Sequence, residues 1–265
     1  MPEGHTIHRL ARDQRRDLVG RPVRASSPQG RFAAGAARLD GQVPLATDAW
    51  GKHLFHTFAS GDVLHVHLGL IGRFRRRTSP PPEPVGAVRL RMAGAASTWD
   101  LSGPIVCAVV TPDRVDEVVG ALGPDPLRPD ADAEAFVATV ARRAAPIGAL
   151  LLDQRVVAGI GNVYRAELCF LAGIHPATPG RDLTVEQITR LWDLAGQQLR
   201  LGVRRNRIVT VDPAELGVPP SRVRRADATY VYHRDRCGRC GTPTEVVALA
   251  GRRTWACPAE QPRPG

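Results

Sequence analysis

The spacing of hydrophobic residues changes character near residue 121. Residues 6–19 place Ile7, Leu10, Ala11 and Leu18 near one helical face and Arg9, Arg12, Arg15 and Arg16 elsewhere, so an amphipathic helix is expected just after the N-terminus. The runs 43–47, 53–58, 63–68, 85–92 and 105–110 are short, rich in β-favouring residues and separated by Gly, Pro, Asp or Ser. Strands spaced this way predict a β-sandwich or barrel. The segment 75–86 follows a basic run and contains three consecutive prolines, which reads as a flexible loop.

A break follows at Leu122-Gly123-Pro124-Asp125-Pro126-Leu127, where proline and glycine make a stiff connector. Beyond it the pattern is helical, at 131–144, 148–154 and 162–171. Thr184 with Gln187 makes a capping box ahead of Ile188, Leu191, Trp192, Ala195 and Leu199, which share one face. Residues 228–256 return to strand character. The expectation is an α+β chain. A β-sandwich domain with flanking helices spans 1–121, a linker 122–130, a helical domain 131–226 and a β-hairpin segment 227–265.

The chain has 265 residues, 43% of them hydrophobic, enough for two domains with real cores, and global disorder is excluded. Its net charge of +10 favours a polyanionic partner, nucleic acid before anionic membrane. There is no apolar run of membrane length, and the polar, charged start does not resemble a signal peptide. A soluble, cytoplasmic, nucleoid-associated protein is expected. Lys52 is the one lysine among 36 basic residues, which marks it for a defined task.

Five constellations carry chemistry. Removal of Met1 would leave Pro2 as a secondary amine beside the Glu3 carboxylate. Such an amine can attack a sugar carbon to form an iminium, and the carboxylate can move the protons involved. Cys237-Gly-Arg-Cys240 and Cys257-Pro-Ala-Glu260 have the spacing of a zinc hairpin with Glu260 where a fourth cysteine is expected. Glu260 through oxygen, His233, water, or no metal at all remain open there. Residues 222–265 hold nine arginines and four acids, and Arg252 and Arg253 fall where a turn would project them towards phosphates. Two glycines, Gly159 and Gly161, precede a helix start at Asn162 and suit a phosphate. Leu70 and Ile71 lie between glycines ahead of Arg73, Arg75, Arg76 and Arg77 and suit a wedge entering a base stack.

Taken in order, these motifs resemble the formamidopyrimidine-DNA glycosylase and endonuclease VIII family nearly end to end. Pro2-Glu3 resembles its catalytic terminus, Gly51-Lys52 its hairpin lysine, and 122–127 its interdomain linker. Residues 152–164 resemble its helix–two-turn–helix signature and the Cys237 region its zinc finger. The resemblance implies a bifunctional DNA glycosylase/AP lyase acting on damaged double-stranded DNA, as a monomer with one structural zinc. Pro2 would attack C1′ of an everted nucleotide and Glu3 would act as general acid/base. Lys52 would contact phosphate, Asn162 and Arg252 would hold phosphates, and Leu70 and Ile71 would fill the gap. The chain departs from the family pattern at His5-Thr6 and Glu260. It also has no Arg-Arg-Phe-Gly loop between Val110 and Leu122. This loop's absence and the Met-Pro-Glu-Gly start tilt the reading to the endonuclease VIII branch and oxidised pyrimidines. The alternatives are a catalytically impaired protein that binds damaged or abasic DNA, and a small-molecule tautomerase with an amino-terminal proline.

Overall fold

The computed structural model describes residues 2–78 and 80–264. Met1, on whose removal the terminal-amine reading depends, lies outside them. The chain divides into two compact units, residues 1–121 and 122–265.

The first unit opens with helix α1 (Gly4–Leu18), which buries Ile7, Leu10, Ala11 and Leu18 as its period requires. Strand β1 (Arg24–Ser26) and helix α2 (Ala33–Leu39) follow. Then come β2 (Pro44–Trp50), β3 (His53–Phe58), β4 (Val63–His67), β5 (Arg73–Thr78), β6 (Val88–Ala93), β7 (Ser97–Ser102) and β8 (Val106–Val110). Helix α3 (Pro112–Gly120) closes the unit. The strands form two antiparallel sheets, β1-β6-β7-β5 and β2-β3-β4-β8. Leu54, Phe58, Leu64 and Val66 from one sheet and Leu90, Met92, Trp99 and Leu101 from the other join α1 in a single core. This is the expected sandwich.

Residues 75–86 are not wholly a loop. Arg73–Thr78 is an edge strand paired to β7 in register Arg75↔Asp100 and Arg76↔Trp99. A strand of arginines survives at an edge because its side chains reach water and its partner supplies counter-charge. Arg76 Nε lies 2.6 Å from Asp17 Oδ2, and Arg77 Nε 3.8 Å from Asp100 Oδ2.

The second unit contains α4 (Ala133–Ala141), α5 (Ile147–Leu150), α6 (Asn162–Ala172) and α7 (Val185–Arg205), followed by the hairpin β9 (Glu245–Leu249) and β10 (Arg252–Ala256). Thr184 and Gln187 make the expected reciprocal cap on α7. Phe136, Val140, Ile147, Leu151, Tyr164, Leu168, Ile188, Leu191 and Leu199 knit the helices together. Gln154 pins the two-turn segment ahead of α6: its Nε2 donates to the carbonyls of Leu152 and Ile160, and its Oε1 accepts from Gly159 N–H. At Gly123 a Cβ would sit 2.5 Å from the Val156 carbonyl carbon, so only glycine lets the connector lie against this segment.

Candidate active site and nucleic-acid interface

In the first unit, α1 starts directly after Pro2-Glu3. Glu3 is the N-cap: its carbonyl accepts from the N–H groups of Thr6 (2.9 Å) and Ile7 (3.4 Å), and the residue is 0% exposed. Pro2 is half-buried. The positive end of the helix dipole favours an anion there and disfavours a protonated amine, so it suits both partners of a carboxylate–amine pair. His5 brings no second charge. Burial lowers its pKa to about 4, so the ring is neutral at pH 7, and Nε2 lies 3.2 Å from Thr6 Oγ1.

Lys52 occupies the two-residue loop between β2 and β3, where Trp50 and His53 pair. Gly51 supplies φ +55° at the first loop position, the glycine-first arrangement of a type II′ hairpin. Beside the lysine are three histidines that sequence reasoning missed. They project from the face of β3 and β4 opposite the core, His53 opposite His67 and His65 opposite Phe55. His53 Nδ1 is 2.8 Å from His65 Nε2, and the His53 and His67 rings are 4.8 Å apart. Gly69 N–H donates to His67 Nδ1 at 3.0 Å, tying this strand end to the loop beyond it. Burial takes His53 down to about 3 and His65 to about 4 and lowers His67 as well. The Lys52 ammonium adds to the effect on His53 and His67. The lysine's charge therefore sits against neutral imidazoles. The sequence offered only the alternation of His65 and His67 on one strand; their meeting with His53 comes from the β3–β4 register.

Leu70 and Ile71 are 59% and 82% exposed on the loop after β4. Ile105, 68% exposed, joins them: a Cβ at Gly69 would lie 2.5 Å from its Cγ2, so Gly69 makes room for it. The tip is aliphatic, with exposed Arg73 and Arg75 following it in the chain.

In the second unit, Asn162 is the first residue of α6 and only 8% exposed. Its Nδ2 donates to the Arg253 carbonyl at 3.0 Å, and its Oδ1 accepts from Arg165. Arg165, fully buried and not singled out by sequence reasoning, donates to the carbonyls of Leu249 (3.3 Å) and Arg253 (3.1 Å). The start of α6 and the hairpin are thus one assembly. Ala250 (φ 50°) and Gly251 (φ 70°) form its turn, and Arg252 and Arg253 expose their side chains just beyond. The signal for Arg165 was its position one helical turn after Asn162.

The ligand atoms of Cys237, Cys240 and Cys257 lie within 4.8 Å of one another, so these three residues can hold a metal ion. Arg239 N–H donates to Cys237 Sγ at 3.4 Å, a contact that supports a thiolate ligand. Glu260 is not brought to them. Its carboxylate is outside the cluster, 3.6 Å from Arg239 Nη1. His233 is exposed and packs its ring 4.1 Å from Trp255.

Comparison with known proteins gives the same answer along the chain. Residues 1–102 match the formamidopyrimidine-DNA glycosylase N-terminal domain and residues 122–212 the formamidopyrimidine-DNA glycosylase H2TH domain. Endonuclease 8 1 of Mycobacterium tuberculosis is 45% identical over 267 residues, covering 98% of this chain and 100% of that one. A probable endonuclease 8 2 of Streptomyces coelicolor is 33% identical over 285 residues, covering 100% and 97%. A solved Lactococcus lactis Fpg, in complex with DNA containing an abasic site, shares the fold with a TM-score of 0.79 at 23% identity, covering 98% and 100%. With both units matched and relatives aligned end to end, the chain belongs to the formamidopyrimidine-DNA glycosylase/endonuclease VIII family of base-excision-repair DNA glycosylases/AP lyases, on the endonuclease VIII-like branch.

Proposed function

We propose that this enzyme excises oxidised bases, pyrimidines above all, from double-stranded DNA through a Schiff base on Pro2 and then cleaves the strand by elimination. The observation that carries the reading is the fully buried Glu3 beside Pro2 at the positive end of α1. A terminal amine titrates near about 8, and the helix end shifts it further towards the neutral, nucleophilic form. Pro2 nitrogen attacks C1′ and the bond from C1′ to the base breaks. The base leaves with a proton supplied through Glu3, the Pro2 nitrogen gives up its own proton, and the C1′–O4′ bond opens with a proton to O4′, so that C1′ becomes an iminium. The iminium acidifies C2′–H; loss of that proton expels the 3′ phosphate, and water then releases the sugar from the nitrogen. Eversion of the nucleotide is required because a stacked base shields C1′. In this reading Lys52 and Arg252 contact phosphates. Asn162 acts by fixing the hairpin that presents Arg252, while Leu70 and Ile71 fill the vacated space. The enzyme works as a monomer in the cytoplasm, at the nucleoid; among the described residues no helix is long and apolar enough to cross a membrane.

A metal ion held by Cys237, Cys240 and Cys257 is zinc in this reading, because thiolates at this paired spacing suit a structural zinc. Its role is to brace the hairpin that presents Arg252 and Arg253.

Borohydride reduction on a duplex bearing an abasic site tests the mechanism. Mature protein beginning at Pro2 is expected to become covalently linked to the DNA, and Pro2→Gly to lower the yield by about tenfold or more. Full trapping by the variant removes Pro2 from the mechanism. Tight, salt-sensitive binding without an adduct supports a damaged-DNA binding protein instead.

A further inference from the structure

The structure brings three cysteine sulfurs together where the spacing suggests a four-residue set. Cys240 Sγ lies 3.5 Å from Cys257 Sγ, and Cys237 and Cys257 are buried while Cys240 is exposed. Three thiolates therefore face one another with one side open to water. Glu260 sits at the right place in the sequence but is committed elsewhere. Its carboxylate pairs with Arg239, and that guanidinium is itself held in place. It contacts Glu215 at 3.2 and 3.5 Å and lies 4.6 Å from the Tyr230 ring centre and 5.0 Å from that of Phe170. The turn after Cys257 is equally fixed. Gln261 is fully buried, its Oε1 accepting from Cys257 N–H at 2.9 Å and its Nε2 donating to the Ile174 carbonyl at 2.8 Å. This staple sets the direction in which the neighbouring Glu260 leaves the backbone.

We propose that the metal is held by Cys237, Cys240 and Cys257 alone, with an exchangeable fourth position on the Cys240 side that takes water or a small exogenous nitrogen or sulfur donor, and not Glu260. The proposal rests on the metal reading of the three cysteines. Charge and softness agree with it. Three thiolates already carry one negative charge more than a divalent ion neutralises, and a fourth, carboxylate ligand would add another while stripping Arg239 of a partner. An open position is the feature that separates reactive zinc sites from closed structural ones.

Cobalt(II), a spectroscopic substitute for zinc, tests this on the full chain. Wild type and Glu260→Gln are expected to bind one cobalt per chain with the same visible and sulfur-to-metal charge-transfer bands. Added imidazole should shift the visible bands saturably in both. Glu260→Cys should increase the charge-transfer intensity by about one third, as thiolates go from three to four. It should also abolish the imidazole response and slow metal release to a chelator by roughly tenfold or more. Spectra that change in Glu260→Gln, or wild-type spectra indifferent to imidazole, overturn the three-thiolate assignment while leaving the metal reading intact. Failure of the wild type to bind cobalt or zinc overturns both.

Discussion

Glu3 is a carboxylate with no solvent contact, placed at the N-terminus of α1. That position puts the side chain in the positive field of the helix end. Proton transfer to the departing base is its expected task, and that task vanishes once the base is gone. Glu3→Gln is therefore expected to lower excision of an intact oxidised base by about 10²–10⁴-fold while sparing cleavage at a preformed abasic site. Parallel strand-cleavage assays on the two duplexes measure this. Equal losses on both would make Glu3 a structural cap. At this scale residue type and spacing single out Pro2, Glu3 and Lys52 as candidates, and the three cysteines that the spacing groups do come together. For Glu260, sequence position says nothing of competing partners, and here Arg239 is one.

Within α6, Glu167 shows what one helix does for its surroundings. Fully buried, it accepts from the N–H groups of Tyr230 (2.7 Å), Val231 (2.9 Å) and Tyr232 (2.8 Å) and from the Thr210 hydroxyl (2.5 Å). Burial raises its pKa, and these four donors work against that rise. Glu167→Ala would remove the acceptor shared by three backbone N–H groups and the Thr210 hydroxyl and is expected to destabilise the second unit by about 3 kcal/mol or more, read as a lower denaturant midpoint with Glu167→Gln intermediate. Elements whose own residues carry a period, such as α1, β3, β4 and the capped α7, were legible. Strands β1, β5 and β7 were not. Arg73–Thr78 has no hydrophobic alternation, and what stabilises it is Asp17 and Asp100, residues distant in the chain. The histidine group beside Lys52 needed the β3–β4 register, which local patterning does not contain.

At the scale of the whole molecule, histidines couple folding to acidity. His5, His53, His56 and His65 all lie in the first unit, and burial takes them down to about 4, 3, 3 and 4. His56 is in the core, its Nε2 2.6 Å from Gln14 Oε1. These rings are neutral when folded, whereas in the unfolded chain they take up protons below about 6.5. Between about 6.5 and 4 the unfolded state binds more protons, so stability falls as pH falls. Each ring contributes up to about 1.4 kcal/mol per pH unit. Urea midpoints measured across that window should decline steeply, and a flat profile would contradict the neutral assignments.

The aliphatic tip formed by Leu70, Ile71 and Ile105 offers no nitrogen or oxygen beyond its backbone. A plug of hydrocarbon can register that a stack has a vacancy, but it has no vocabulary for which letter stands across from it. A side chain bonded to a base edge discriminates by about 1–3 kcal/mol; a tip without one should treat the four orphaned bases alike. Excision of a single lesion placed opposite each base in turn is expected to proceed at rates differing by no more than a few-fold. The identity of the damage would then be judged on one strand only.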